Sequence, residues 1–113
     1  MRRKELAKKA QRLEDEGIQV TSRWLSSHGD DLPLVQAAKE DLEDIRKADG
    51  LLLFTQDKKH GYTTGGRFVE LGYAYAKKKT IVIVGPRENV FCHLDYIHQF
   101  NSFKAALEYL KGA

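Results

Sequence analysis

The stretch Ile81-Val82-Ile83-Val84-Gly85-Pro86 decides the fold. Its first four residues are wholly apolar, of strand length, and end at a Gly-Pro stop. A strand with one wet face alternates apolar and polar residues. A strand covered on both faces does not, and such strands are typical of parallel sheets. Leu51-Leu52-Leu53-Phe54 has the same character. Between the two runs, Gln56 to Thr64 is polar and glycine-bearing and reads as a loop. Gly66 to Lys77 reads as a helix, with Phe68, Leu71 and Tyr75 in register. Strand, helix and strand in this order predict a parallel βαβ unit.

The same alternation extends outward. Arg3 to Glu16 carries Leu6, Ala10 and Leu13 at helical spacing, with Gly17 placed as its C-terminal cap. Ile18 to Leu25 reads as a strand, Ile18 and Val20 alternating with Gln19 and Thr21. Asp30 or Asp31 can cap the next helix, and Pro33 suits its first turn. That helix runs to about Ala48, with an apolar stripe of Leu34, Val35, Ala38, Leu42 and Ile45. Arg87 to Tyr96 is a loop or short turn, and Ile97 to Phe100 a short edge strand. Asn101 or Ser102 caps a last helix bearing Phe103, Ala106, Leu107 and Leu110. The pattern predicts an open, mostly parallel α/β sheet with flanking helices.

Composition narrows the function classes. The 113 residues suit one domain spanning 1–113. The 19 Lys and Arg against 16 Asp and Glu give a net charge of +3, compatible with an anionic small ligand. The lysine clusters Lys8-Lys9, Lys58-Lys59 and Lys77-Lys78-Lys79 read as solvated helix ends and loops. With one cysteine, Cys92, no intramolecular disulfide can form. His28, His60, His93 and His98 lack metal-ligand spacing, so no metal is expected. Neither a signal peptide nor a membrane span is legible, and a cytoplasmic location is expected. No basic helix or aromatic platform marks a nucleic-acid interface.

Ligands of such sheets bind where loops leave the carboxyl ends of the strands. Two loops do so here, one after Phe54 leading to Gly65-Gly66, the other after Val84 containing Pro86-Arg87-Glu88-Asn89. Glu70 lies about one turn inside the helix that opens near Gly66. The helix dipole favours an ionised carboxylate there, and Gly65 and Gly66 let backbone amides approach an anion. Such a carboxylate can act as a nucleophile. On pattern alone, the commoner reading is a glutamate that only complements the dipole. Asp41 interrupts or borders the row 34, 38, 41, 45, 48, whose other members are apolar. It is either a carboxylate with a role or one at the stripe's edge that reaches water. Glu40, Glu43 and Asp44 lie further from the stripe's centre. The Thr64 hydroxyl could bind a phosphate or a sugar hydroxyl. Tyr73 and Tyr75 read as packing residues, and Cys92 as a buried structural thiol.

Taken in order, these residues resemble a known family. Asp41-Leu42-Glu43-Asp44-Ile45, Ala48-Asp49 before an apolar strand, and Gly66-x-x-x-Glu70-Leu71-Gly72-Tyr73-Ala74 are similar to the nucleoside 2-deoxyribosyltransferases. Related members are the deoxynucleoside 5'-monophosphate N-glycosidases. The likeness continues through Gly85-Pro86-Arg87-Glu88-Asn89-Val90-Phe91, and Thr21-Ser22-Arg23-Trp24-Leu25 looks like the family's second strand. The resemblance implies a three-layer, flavodoxin-like sheet and a retaining mechanism without cofactor. Glu70 would attack C1' of the deoxyribose, and Asp41 would orient the site and manage the proton on the base. Thr64, Gly65, Gly66 and Asn89 would bind substrate. It also implies a homodimer or higher homo-oligomer, with Asn89 to His93 serving the partner's site.

Two departures shape the expectation. Thr64 stands where transferases commonly carry an aspartate, and a hydroxyl there suits the 5'-phosphate of a nucleotide. Met1-Arg2-Arg3 leads directly into a helix where family members begin with an apolar strand, so the first strand of the family fold is expected to be absent. The leading expectation is therefore a nucleoside or nucleotide N-glycosyl transferase or hydrolase. The alternative is a non-catalytic nucleotide-binding module of the same fold.

Overall fold

The computed structural model describes residues 3–20, 33–55 and 66–112. The chain divides into two compact units, Met1–Ala48 and Asp49–Ala113.

In the first unit, helix α1 spans Arg3–Asp15. Its exposed face carries the pairs Gln11–Asp15 and Arg12–Glu16 at i,i+4 spacing. Such pairs add only about 0.2–0.5 kcal/mol each. The helix ends in a Schellman turn. Gly17 adopts φ +83°, its N–H donates to Glu14 O (2.9 Å), and Ile18 N–H donates to Leu13 O (3.0 Å). This termination corrects the start of the expected strand. Ile18, Gln19 and Val20 are not in a strand, and residues 21–25 lie outside the described residues. Alternation at 18 and 20 does not suffice where the Ile18 amide closes the helix cap and the Val20 amide faces Glu14 Oε1 at 3.4 Å.

Helix α2 spans Leu34–Lys47. Pro33 is its N-cap rather than a first-turn residue, and Pro33 O accepts from Ala37 N–H at 3.0 Å. Asp30 and Asp31 lie outside the described residues. The apolar stripe is buried only toward its C-terminal half. Ile45 is buried, whereas Leu34 is 89% exposed and Val35 and Ala38 also face solvent. Asp44, expected away from the stripe, is 7% exposed. Helical spacing gives the phase of a stripe but not how far along the helix its cover extends. Arg46 and Lys47 in the last turn complement the dipole.

The second unit is a flavodoxin-like α/β layered structure around an all-parallel sheet. Strands β1 (Gly50–Phe54), β2 (Thr80–Val84) and β3 (His98–Phe100) pair in the order β1-β2-β3. Register aligns Leu52 with Val82 and His98, and Phe54 with Val84 and Phe100. The central strand β2 is buried from Ile81 to Val84, as its unbroken apolar run requires. Helix α4 (Phe103–Gly112) covers the face of Leu52, Phe54, Val82, Val84 and Phe100 with Ala106, Tyr109 and Leu110. Ser102 Oγ accepts from Ala105 N–H (3.2 Å) and so caps α4. The pleat turns Leu51, Leu53, Ile81 and Ile83 to the other face, where helix α3 (Gly66–Ala76) packs with Leu71 and Ala74 fully buried. Each fully buried Leu or Ile contributes about 1.5–3 kcal/mol. No helix among the described residues is long and apolar enough to cross a membrane.

Candidate active site

Because the three strands are parallel, their carboxyl ends Phe54, Val84 and Phe100 form one row. The chain leaving that row is tied down by hydrogen bonds. Thr55 N–H donates to Val84 O (3.0 Å), and Gly85 N–H donates to Phe100 O (2.8 Å). Thr55 Oγ1 donates to Pro86 O (2.5 Å), and Gln99 Nε2 donates to Gly85 O (2.5 Å). These bonds turn the segment after β2 sharply across the end of the sheet, with Gly85 at φ +117°.

The first turn of α3 meets the same row. Arg67 Nη1 donates to Phe54 O, and it also lies 3.3 Å from Glu88 Oε2 in the loop after β2. The two side chains are only 12% and 5% exposed. Removing two charges from water costs several kcal/mol per ion, which only good geometry and further hydrogen bonds offset. The ion pair therefore joins the helix start, the end of β1 and the β2 loop at one buried point.

Glu70 lies three residues beyond Arg67 on the same helical face, and is partly buried. Side chains on a helix lean toward its N-terminus, which here is the carboxyl end of the sheet. Gly66 is the first residue of α3. Thr64 and Gly65 lie outside the described residues. Asp41 is partly buried on α2 in the first unit.

Asn89 follows Glu88 directly. It caps a single 3₁₀ turn, Val90–His93, its Oδ1 accepting from Phe91 N–H (3.0 Å) and from Cys92 Sγ (3.8 Å). Arg87 Nε donates to Cys92 O (3.2 Å) and closes the segment on itself. Cys92 is fully buried, as expected of a structural thiol. Val90 and Phe91 on the same turn are 73% and 55% exposed. Among the described residues, no group of three or more His, Cys, Asp or Glu side chains is placed to hold a metal ion.

The amino ends of the strands carry a different cluster. Tyr75 and Tyr96 stack with ring centroids 5.1 Å apart, and the Tyr75 hydroxyl donates to Asp95. That hydrogen bond, then desolvation and the nearby Asp95 charge, raise the Tyr75 pKa above its ordinary value of 10.0. An open depression at this cluster is lined by Tyr75, Ala76, Lys78 and Tyr96.

The sequence alone assigns no role to the Arg67–Glu88 pair, although Glu88 lies in the loop after β2 where chemistry is expected. Two charged residues 21 positions apart give no pairing signal. The usable hint was the i,i+3 spacing of Arg67 and Glu70 beside the glycines. Comparison with models of protein families, with curated proteins and with solved structures found no match to this chain.

Proposed function

We propose that this protein cleaves the N-glycosidic bond of a deoxynucleoside or its 5'-monophosphate by a retaining, double-displacement mechanism with Glu70 as nucleophile. The observation that carries the reading is the place of Glu70. It stands one turn into the helix that starts at the carboxyl ends of a parallel sheet, beside a buried ion pair anchoring the neighbouring loop. The ordered resemblance to the nucleoside 2-deoxyribosyltransferases supplies the chemistry.

In the first step a Glu70 carboxylate oxygen bonds to C1'. The C1'–N bond breaks, its electron pair stays on the base nitrogen, and the base takes up a proton that the resemblance assigns to Asp41. In the second step water or a second base attacks C1', its proton passing to the Asp41 carboxylate, and the ester to Glu70 breaks with its electron pair returning to the Glu70 carboxylate. Water yields free sugar or sugar phosphate, while a base yields a new nucleoside. This is the two-carboxylate logic of retaining glycosidases. The amides of Gly65 and Gly66 and the Thr64 hydroxyl would receive a 5'-phosphate. The Asn89 carbonyl oxygen is engaged in its cap, so substrate contact falls to its NH2 group. The exposed Val90 and Phe91 suit a segment that contacts a second copy of the chain.

The test is incubation with deoxynucleosides and deoxynucleoside monophosphates, followed by chromatography of free base. Base release is expected, larger from monophosphates. Tight nucleotide binding by calorimetry without base release would replace this reading with a non-catalytic binding module.

A further inference from the structure

We propose that the buried Arg67–Glu88 ion pair is the positioning device of this site, fixing the loop after β2 against the glutamate-bearing helix. For catalysis the inference rests on the proposed glycosyl chemistry. For loop placement it stands on the geometry alone.

Residues 87–92 form an internally bonded unit. Arg87 Nε holds Cys92 O, and Asn89 Oδ1 holds the Phe91 amide and the Cys92 thiol. Those bonds set the shape of the unit but not its place. Glu88, from inside it, reaches Arg67 on the first turn of α3. Arg67 Nη1 in turn donates to Phe54 O, at the last residue of β1. One guanidinium thus references the loop to both the sheet and the helix. Buried ion pairs are costly to desolvate, and their best attested use is to specify one register among several. The register set here places Asn89, next to Glu88, relative to Glu70, one turn along from Arg67. Arg67 and Glu88 touch no reacting atom in this account and act through those neighbours.

The single cysteine provides a readout that needs no substrate. Cys92 is fully buried in the loop unit, so its reaction with Ellman's reagent reports departure of that unit from its seat. In the 113-residue chain, Glu88→Gln keeps the shape of the side chain and removes its charge. We expect Cys92 to react at least about tenfold faster than in wild type, with helix content unchanged by circular dichroism. We also expect kcat for base release to fall by roughly 10²-fold while KM moves little, since ångström-scale misplacement costs about that much. The charge reversal Arg67→Glu with Glu88→Arg should recover part of both. Should Glu88→Gln fail to fold, Arg67→Lys gives the same readings, because lysine keeps the charge but loses the planar fork. Unchanged thiol reactivity in a folded Glu88→Gln or Arg67→Lys protein would overturn the inference. So would faster thiol reaction with unchanged kcat. A chain that releases no base would instead overturn the functional reading, with loop placement still decided by the thiol.

Discussion

Gly85 and Thr55 approach so closely that a Cβ on Gly85 would lie 2.5 Å from Thr55 Oγ1 and 2.9 Å from Thr55 O. Gly85 also holds φ +117°, a conformation that side chains rarely adopt. Gly85→Ala is therefore doubly penalised. The backbone alone costs about 1–3 kcal/mol, and the contact with a main-chain oxygen adds to it. A drop in the urea midpoint at unchanged slope is the expected result. An unshifted midpoint would mean that the turn after β2 is not built as described.

Gly72 is the counterpart on α3. It is exposed, and a Cβ there would meet nothing within 4 Å. Gly72→Ala should stabilise the chain by about 0.5–1 kcal/mol through helix propensity. A measured loss of stability would contradict the packing of α3. A gain in stability with a loss of base release would show that the glycine serves substrate or partner approach.

Leu71 and Ile83 report on the face of the sheet beneath α3. Both are fully buried. Leu71→Ala should cost about 2–5 kcal/mol and Ile83→Val about 0.5–1.5 kcal/mol. Denaturant titration decides this, and near-neutral values for both would remove α3 from the sheet.

How much of this was legible in the residues depends on the range of the interaction. The apolar runs at 51–54 and 81–84 announced parallel strands because burial on both faces leaves its mark on each residue in turn. Gly17, Ser102 and Cys92 were legible for the same local reason. The exposure of Leu34 and Val35 and the burial of Asp44 were not, since they depend on what covers α2. The strand start expected at Ile18 to Val20 illustrates the same limit, because the Ile18 amide is taken by the helix cap rather than by a ladder. At the site, the position of Glu70 followed from its glycines, but its support by Arg67 and Glu88 did not. Charged residues in turns are usually solvated, and only the folded chain brings these two to 3.3 Å.

Tyr75 makes a pH-dependent prediction. Its folded-state pKa is raised, first by its hydrogen bond to Asp95. The associated stability is present below the ordinary tyrosine pKa of 10.0 and is lost as pH rises through the higher folded value. Absorbance titration of the five tyrosines should show a late-ionising phase that Tyr75→Phe removes. Persistence of that phase in the variant would refute the Tyr75–Asp95 pairing.

The most direct test of the account is the rate of base release by wild type and by Glu70→Ala on the same deoxynucleoside monophosphate. Release by wild type is expected, with a fall in kcat on the order of 10³-fold or more in the variant, the scale expected when a nucleophile is removed. Equal release by the two proteins, or none by wild type, would contradict it.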